Sequence, residues 1–464
     1  MPGNGVLIMV EAPRTDGWST EKIAGTRNHG TNIVRQEGED GLDMEADLRP
    51  DYEEAAVNKA TTRWANIEGN TTFRVVAYRC SAASGISIAN YAGYGDYKLL
   101  ANNTVQTTPR SLTLPPGTYT FICYSYGNSS DMPAFSSSST SVSASNGQNF
   151  MTCVKPGVTI NNAGSTYTLG NIVFKHHCAR YRILAKAQVG RMGNITACTG
   201  TLLLPKSNAT YNFTNNSFST RISSGTLNVA WSNPNGMNVY SNYVYLIPQS
   251  SAEIAIVLKL TIGGKTFENK GVTLFGLTFT SGKTYRSDIS FTTTLGYIVG
   301  GTIWAGGNLF FTGSEFLFYN NTWDNNTAQR INEYWRWDAL YPNAEFGNSA
   351  TTWNPTRDPC RRVLGSWRLP TVLEFNSLLQ EETTYTTKNH KTGLLIDNIF
   401  FLPCTGYYGA SDINLSDPHR GLYWTSEKAN NYYGMSLSFS ADTADVHDSN
   451  FPVHQFAIRC VRAD

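Results

Sequence analysis

The chain has 464 residues, a formal net charge of +1 and only 15% charged residues. That length exceeds what one core organises and points to two to four domains, and so balanced a charge excludes a nucleic-acid partner held by bulk electrostatics. Plentiful Gly, Ser, Thr, Asn and Tyr suit strands and turns facing an exterior rather than a cytosolic enzyme.

Residues 6–10, Val-Leu-Ile-Met-Val, predict a β-strand. The run is too short for a signal peptide and lacks a basic start, and no apolar run approaches the ~20 residues of a membrane helix. A targeting segment, if the chain is exported, is therefore expected outside this sequence. Next comes an acidic stretch with Glu37, Glu39, Asp40, Asp43, Glu45 and Asp47, which predicts a solvated loop. From 72 to 293 the signals are β throughout. Residues 72–79 form a strand, and Leu114-Pro115-Pro116-Gly117 is a turn between two more. A Ser-rich loop is expected at 136–145, then further strands from 169 to 291. Many short strands with Gly and Asn turns indicate sandwiches. His176 and His177 fall mid-strand, which predicts one core and one surface histidine.

The last third carries a helix start. Thr371 is placed to cap, Glu374 follows three residues on, and Val372, Phe375, Leu378 and Leu379 give one apolar face. Together, Cys360, Gly365 and Trp367-Arg368-Leu369-Pro370-Thr371, then Tyr423-Trp424-Thr425-Ser426, then Arg459-Cys460-Val461-Arg462, resemble the Fibrobacter-type major paralogous domain. The likeness covers about residues 296–464 and implies a surface module similar in fold to C-type lectins and formylglycine-generating enzymes. Because that fold brings its two ends together, it implies a Cys360–Cys460 disulfide and an oxidising compartment. The other cysteines, at 80, 123, 153, 178, 198 and 404, cannot be paired from sequence, and none shows zinc spacing. Cys123 reads as a small buried hydrophobe.

The earlier region resembles the Bacteroidales fimbrillin family. The carriers are the first strand, Ala60-Thr61-Thr62-Arg63, Phe73-Arg74-Val75-Val76-Ala77-Tyr78, the 114–121 strand pair, and Phe174 followed by Ala179-Arg180. The resemblance implies two transthyretin-like sandwiches, export as a lipoprotein, and cleavage by a protease after an Arg following the first strand. Arg63 is the expected site, with Arg49 and Arg27 as rivals. No cysteine precedes Cys80, so a lipid attachment site is absent from this sequence. The fold class expected is mainly β: two transthyretin-like Greek-key β-sandwiches followed by an α+β C-type-lectin-like domain. The boundaries are 1–165 (with the first strand and cleavable acidic loop), 166–295 and 296–464.

Loss of the first strand would open a groove with unpaired backbone, a template for another chain's strand. The resemblance implies that a neighbouring pilus subunit supplies it. The sequence closes on a folded module and offers no evident tail to donate, which places the chain at a pilus tip. A non-polymerising surface lipoprotein or pilus anchor is the alternative, and a surface enzyme of the formylglycine-generating type a second.

For the terminal module, Cys404 stands without a matched partner and in apolar company, so no catalytic residue is expected. Calcium-lectin motifs are missing, and Asp442, Asp445 and Asp448 around His447 read as a solvated turn, so neither metal nor cofactor is expected. Trp304, Trp367 and Trp424 belong to fold motifs and are expected in the core. The expected ligand-binding residues are Tyr407, Tyr408, Asp412, Asp417 and His419 in a long loop, with Trp353. The expected partners are other pilus subunits and a host or bacterial surface glycan or protein, met at the cell surface.

Overall fold

The computed structural model describes residues 5–19, 34–36, 42–51, 65–221, 223–293, 296–319, 331–342, 353–409, 416–429, 433–448 and 454–463. The leading segment contributes four described strands: β1 (Val6–Val10), β2 (Arg14–Thr15), β3 (Val34–Gln36) and β4 (Asp43–Pro50). Arg63 and Arg27 lie outside the described residues, as does Asp412.

Two sheets make the first sandwich. In the larger, β2 is followed by Val173–His176, Met151–Ile160, Gly117–Ser125, Thr72–Tyr78, Tyr91–Leu99 and Val105–Thr107. The smaller places β1 between Thr113–Leu114 and Thr166–Leu169. Alternation sets the facing: Val6, Ile8 and Val10 point into a core with Phe73, Tyr97 and Phe121, while Met9 points out.

The second sandwich combines strands from the leading segment with strands from the middle of the sequence. One sheet runs Asn238–Tyr240, Ala179–Ala187, Thr284–Thr292, β4, β3; the other runs Gly225–Ala230, Ile195–Leu204, Gln249–Ile262, Lys265–Phe279. The acidic stretch is thus corrected in part: residues 43–50 are a sheet strand, antiparallel to Thr284–Thr292 with Ala46 opposite Ile289. The reason is a period-two pattern. Leu42, Met44 and Ala46 are buried, and the acidic residues between them face outward and do not oppose pairing.

The end of β4 is locked by charge. Asp51 is fully buried; its carboxylate accepts from both the Nε and Nη2 of Arg182 and from the Tyr243 hydroxyl, and lies 3.5 Å from Arg286. Removing one member of such a set leaves the others as uncompensated buried charges, which is why these groups hold together.

A third sheet clamps the two sandwiches. Ser141–Ser145, from the first, pairs with the Asn208–Asn212 and Ser217–Arg221 hairpin of the second. Beneath it lies an aromatic cluster including Tyr124, Phe150, Tyr211 and Phe213. This clamp corrects the histidine expectation, because both His176 and His177 are buried. His177 Nε2 meets Thr152 Oγ1 at 2.8 Å and the Tyr211 hydroxyl at 3.1 Å, and the His176 ring stacks on Trp18 at 4.0 Å.

From residue 296 onward the chain forms small sheets around one described α-helix, α1 (Val372–Leu378). Thr371 and Glu374 form the expected capping box. Trp304, Trp367 and Trp424 are buried, as expected. Thr302–Ala305 pairs with Val461–Arg462, and Cys360 and Cys460 form a disulfide. Fully buried Arg459 donates through Nε to Asn308 and through Nη1 to the Ala305 carbonyl, and burial lowers its pKa to about 10. This region abuts the tip of the long second-sandwich hairpin, where Gly301 N–H donates to the Gly263 carbonyl. Gly263 has φ +54°, and a Cβ there would meet the Ile298 carbonyl oxygen at 2.3 Å, so only glycine fits.

Burial lowers the pKa of His176 to about 3 and that of His177 to about 4. In the unfolded chain both titrate near their ordinary value of about 6.5. Above that pH they contribute nothing; below it the unfolded chain takes up protons that the folded one refuses, so stability is lost as pH falls. Thermal unfolding should show a loss of roughly 2 kcal/mol per histidine between pH 7 and pH 5, and a shallower slope in His177→Gln. Equal slopes in both proteins would contradict this account of the pair.

Candidate functional site

The slot held by β1 is the most developed site. Its backbone is paired on both sides: Leu7 N–H donates to Ser165 at 3.0 Å, Ile8 N–H to Leu112 at 2.9 Å and Glu11 N–H to Leu169 at 3.1 Å. The pairing is parallel to Thr166–Leu169 and antiparallel to Thr113–Leu114. The Tyr97 hydroxyl reaches up from the larger sheet to the Ile8 carbonyl at 2.8 Å. Below, Val6 and Ile8 are completely buried and Val10 nearly so. Each such side chain contributes about 1.5–3 kcal/mol through burial. Withdrawal of β1 would leave an apolar trench walled by Leu114, Leu169 and Tyr97, with two rows of unpaired backbone groups.

The segment then runs on across both sandwiches. Arg14 N–H donates to Ile172 and Asp16 N–H to Phe174, both at 3.0 Å. Trp18 stacks on His176 and sits beneath the Arg180 guanidinium at 4.9 Å. Ser19 donates its N–H to Gly282 and accepts from the Thr284 N–H. β4 then occupies the second sheet. Arg49, a rival cleavage position, lies opposite Arg286 and is ion-paired to Asp47 at 2.7 Å and Asp288 at 3.3 Å. The alternation Leu42, Met44, Ala46, Leu48 was the available signal for this strand.

The expected ligand contacts in the terminal module are only partly gathered. Tyr407 is half-buried, bonded through its backbone to Ser416, with its ring 4.5 Å from that of His454. Asp417 and His419 are exposed in the turn that follows, Asp417 at φ +48°. Tyr408 requires correction: it is buried at 6% exposure, paired to Gln455 and set edge-on to Tyr334 at 4.9 Å. It is packed as wall rather than presented as a contact surface. Trp353 belongs to another cluster, half-buried against Trp337 at 5.5 Å, whose indole donates to the Thr425 carbonyl.

Cys404 is buried, and burial raises its thiol above the ordinary range; the thiol donates to the His419 carbonyl at 3.1 Å. A reactive thiol needs an accessible, electropositive setting, and this one has neither. Residues 444–448, expected in a turn, form a strand paired with Gly434–Phe439. Asp445 lies 3.3 Å from His447 there, and no group of three or more metal-ligating side chains occurs among the described residues.

None of the curated proteins matches the chain. Among solved structures it is similar to a candidate cell adhesion protein from Bacteroides fragilis at 13% identity and TM-score 0.40, across 70% of this chain and 99% of that one. A candidate cell adhesion protein from Bacteroides ovatus shares 15% identity at TM-score 0.30, across 64% and 98%. A fimbrial anchor protein from Porphyromonas gingivalis shares 10% at TM-score 0.28, across 55% and 78%. These likenesses are loose. A family model described as fimbrillin-like, however, matches residues 59–304, more than half of the 464. That span takes in the strands paired with β1 and the Thr284–Thr292 strand paired with β4, and through it the chain belongs to the fimbrillin-like family.

Proposed function

We propose that this protein is a pilus (fimbria) subunit that accepts a donor strand from another subunit and carries its C-terminal module outward as an adhesin. The reading takes the two sandwiches as transthyretin-like Greek keys and the region from 296 as a C-type-lectin-like domain. Within the division 1–165, 166–295 and 296–464, residues 34–51 are assigned to the second sandwich. The observation that carries the proposal is β1 itself: an apolar central strand supplied by a leading segment that a single cut would detach. Family membership supports a fibre-forming role for it. Within the module, the Val461–Arg462 strand is paired on both edges beside the Cys360–Cys460 disulfide, which suits a closed domain presented to a ligand rather than a donated strand. The route to the surface would be that of an outer-membrane lipoprotein.

Arg63 is the proposed cleavage site. A protease needs an extended, unpaired stretch, and Arg49 is instead paired within a sheet and held by two carboxylates. Limited Arg-specific proteolysis followed by mass spectrometry should cut the wild type at Arg63 and spare Arg63→Ala between residues 52 and 72. The trimmed chain should then capture a peptide with alternating apolar residues from a pilus-subunit tail. Cleavage at Arg49, or a trimmed chain that binds no such peptide, contradicts the proposal.

Ligand contact is assigned to half-buried Tyr407 and exposed Asp417 and His419, with Asp412 between them in sequence and Trp353 as a separate aromatic contact; a surface glycan or protein is the ligand class. In adhesion assays on immobilised glycans and surface proteins, Tyr407→Ala should weaken binding about tenfold or more without lowering Tm. Unchanged binding with unchanged Tm would move the contact elsewhere.

A further inference from the structure

Cys123 and Cys153 stand as free thiols on the two strands at the centre of the largest sheet among the described residues. They are direct partners in the antiparallel register of Gly117–Ser125 and Met151–Ile160. Both also face the same way. Tyr119, Phe121 and Cys123 turn toward the first-sandwich core, as do Met151 and Cys153, while Ile122, Tyr124 and Val154 turn to the clamp side. Directly opposed residues on one face of an antiparallel pair have Cβ atoms about 4.5–5.5 Å apart, and a disulfide spans about 3.5–4.5 Å. The midpoints of those ranges differ by about 1 Å, a gap within the reach of sheet pleating and a χ1 adjustment.

We propose that Cys123 and Cys153 form a second disulfide when the chain folds in an oxidising compartment, stapling the middle of this sheet. The proposal rests on the surface reading only for that compartment. The oxidant class is a small-molecule or protein disulfide. The Cys153 thiolate attacks one sulfur of the oxidant, giving a mixed disulfide and expelling a thiolate that takes up the released proton. The Cys123 thiolate then attacks the Cys153 sulfur, breaking the mixed bond and releasing a second thiol. Two protein thiols are oxidised, one oxidant disulfide is reduced to two thiols, and the atoms balance.

Burial dictates when this happens. Cys123 is wholly enclosed and Cys153 half-buried, and burial raises both thiols, so thiolate is scarce once the core has closed. Exchange therefore belongs to folding, and the finished bond is a permanent staple rather than a switch. The span it closes contains Ser141–Ser145, the strand through which the first sandwich grips the second. A staple at that point shortens the free chain behind the clamp and fits a subunit that bears tension.

The test uses the full chain made twice in a bacterial host, once directed to the periplasm and once kept in the reducing cytosol. Each is quenched with N-ethylmaleimide in denaturant and mapped by peptide mass spectrometry. The exported chain should give a peptide linking Cys123 to Cys153, with only four of the 8 cysteines alkylated. Its Tm should exceed that of exported Cys153→Ala by about 5–10 °C. If Cys360 and Cys460 are linked while Cys123 and Cys153 are both alkylated, the staple is overturned and the surface reading stands. If neither pair is linked in the exported chain, the oxidising-compartment reading fails and the staple falls with it.

Discussion

The structure depends on strands lent by one leading segment to two separate cores. β1 lies between strands that do not touch one another, and its carbonyls, amides and inward side chains are what make them a sheet. β4 does the same service for Thr284–Thr292, and Asp51 ties its end down among arginines from two neighbouring strands. An open sheet edge exposes a row of hydrogen-bonding groups to any passing chain. In the intact chain the leading segment occupies both positions, so neither is open to another chain.

The terminal module is built on the opposite principle. Its last strand pairs with Thr302–Ala305, a disulfide closes 100 residues, and buried Arg459 donates to Asn308 and to the Ala305 carbonyl near the start of the module. Nothing in that arrangement is detachable. Contacts between its first hairpin and the Gly263 turn fix it against the far end of the second sandwich. The first sandwich is thus completed by a strand from a leading segment, while the module from 296 closes on itself.

Local features were legible in the sequence and non-local ones were not. The α1 cap was readable because Thr371 and Glu374 act within one turn, and β1 because its apolar residues are uninterrupted. β4 is obscured in the sequence because Asp43, Glu45 and Asp47 interleave with the period-two apolar set Leu42, Met44, Ala46 and Leu48. The burial of His177 follows from Tyr211, and that of Tyr408 from Tyr334 and Gln455, partners dozens of residues away in sequence. No spacing rule signals such a meeting, since only the closed fold brings those residues together. The opposition of Cys123 and Cys153 depended likewise on a strand register that the intervening Ser-rich segment concealed.

Hydrogen–deuterium exchange is the most direct measurement of whether one segment completes both sandwiches. The intact chain would be compared with chain cut between residues 51 and 65 and separated from its leading segment. Protection should fall together at residues 113–114, 166–169 and 284–292, while 195–204 and the module from 296 keep theirs. Loss confined to the first sandwich, with 284–292 still protected, would contradict the shared-strand account.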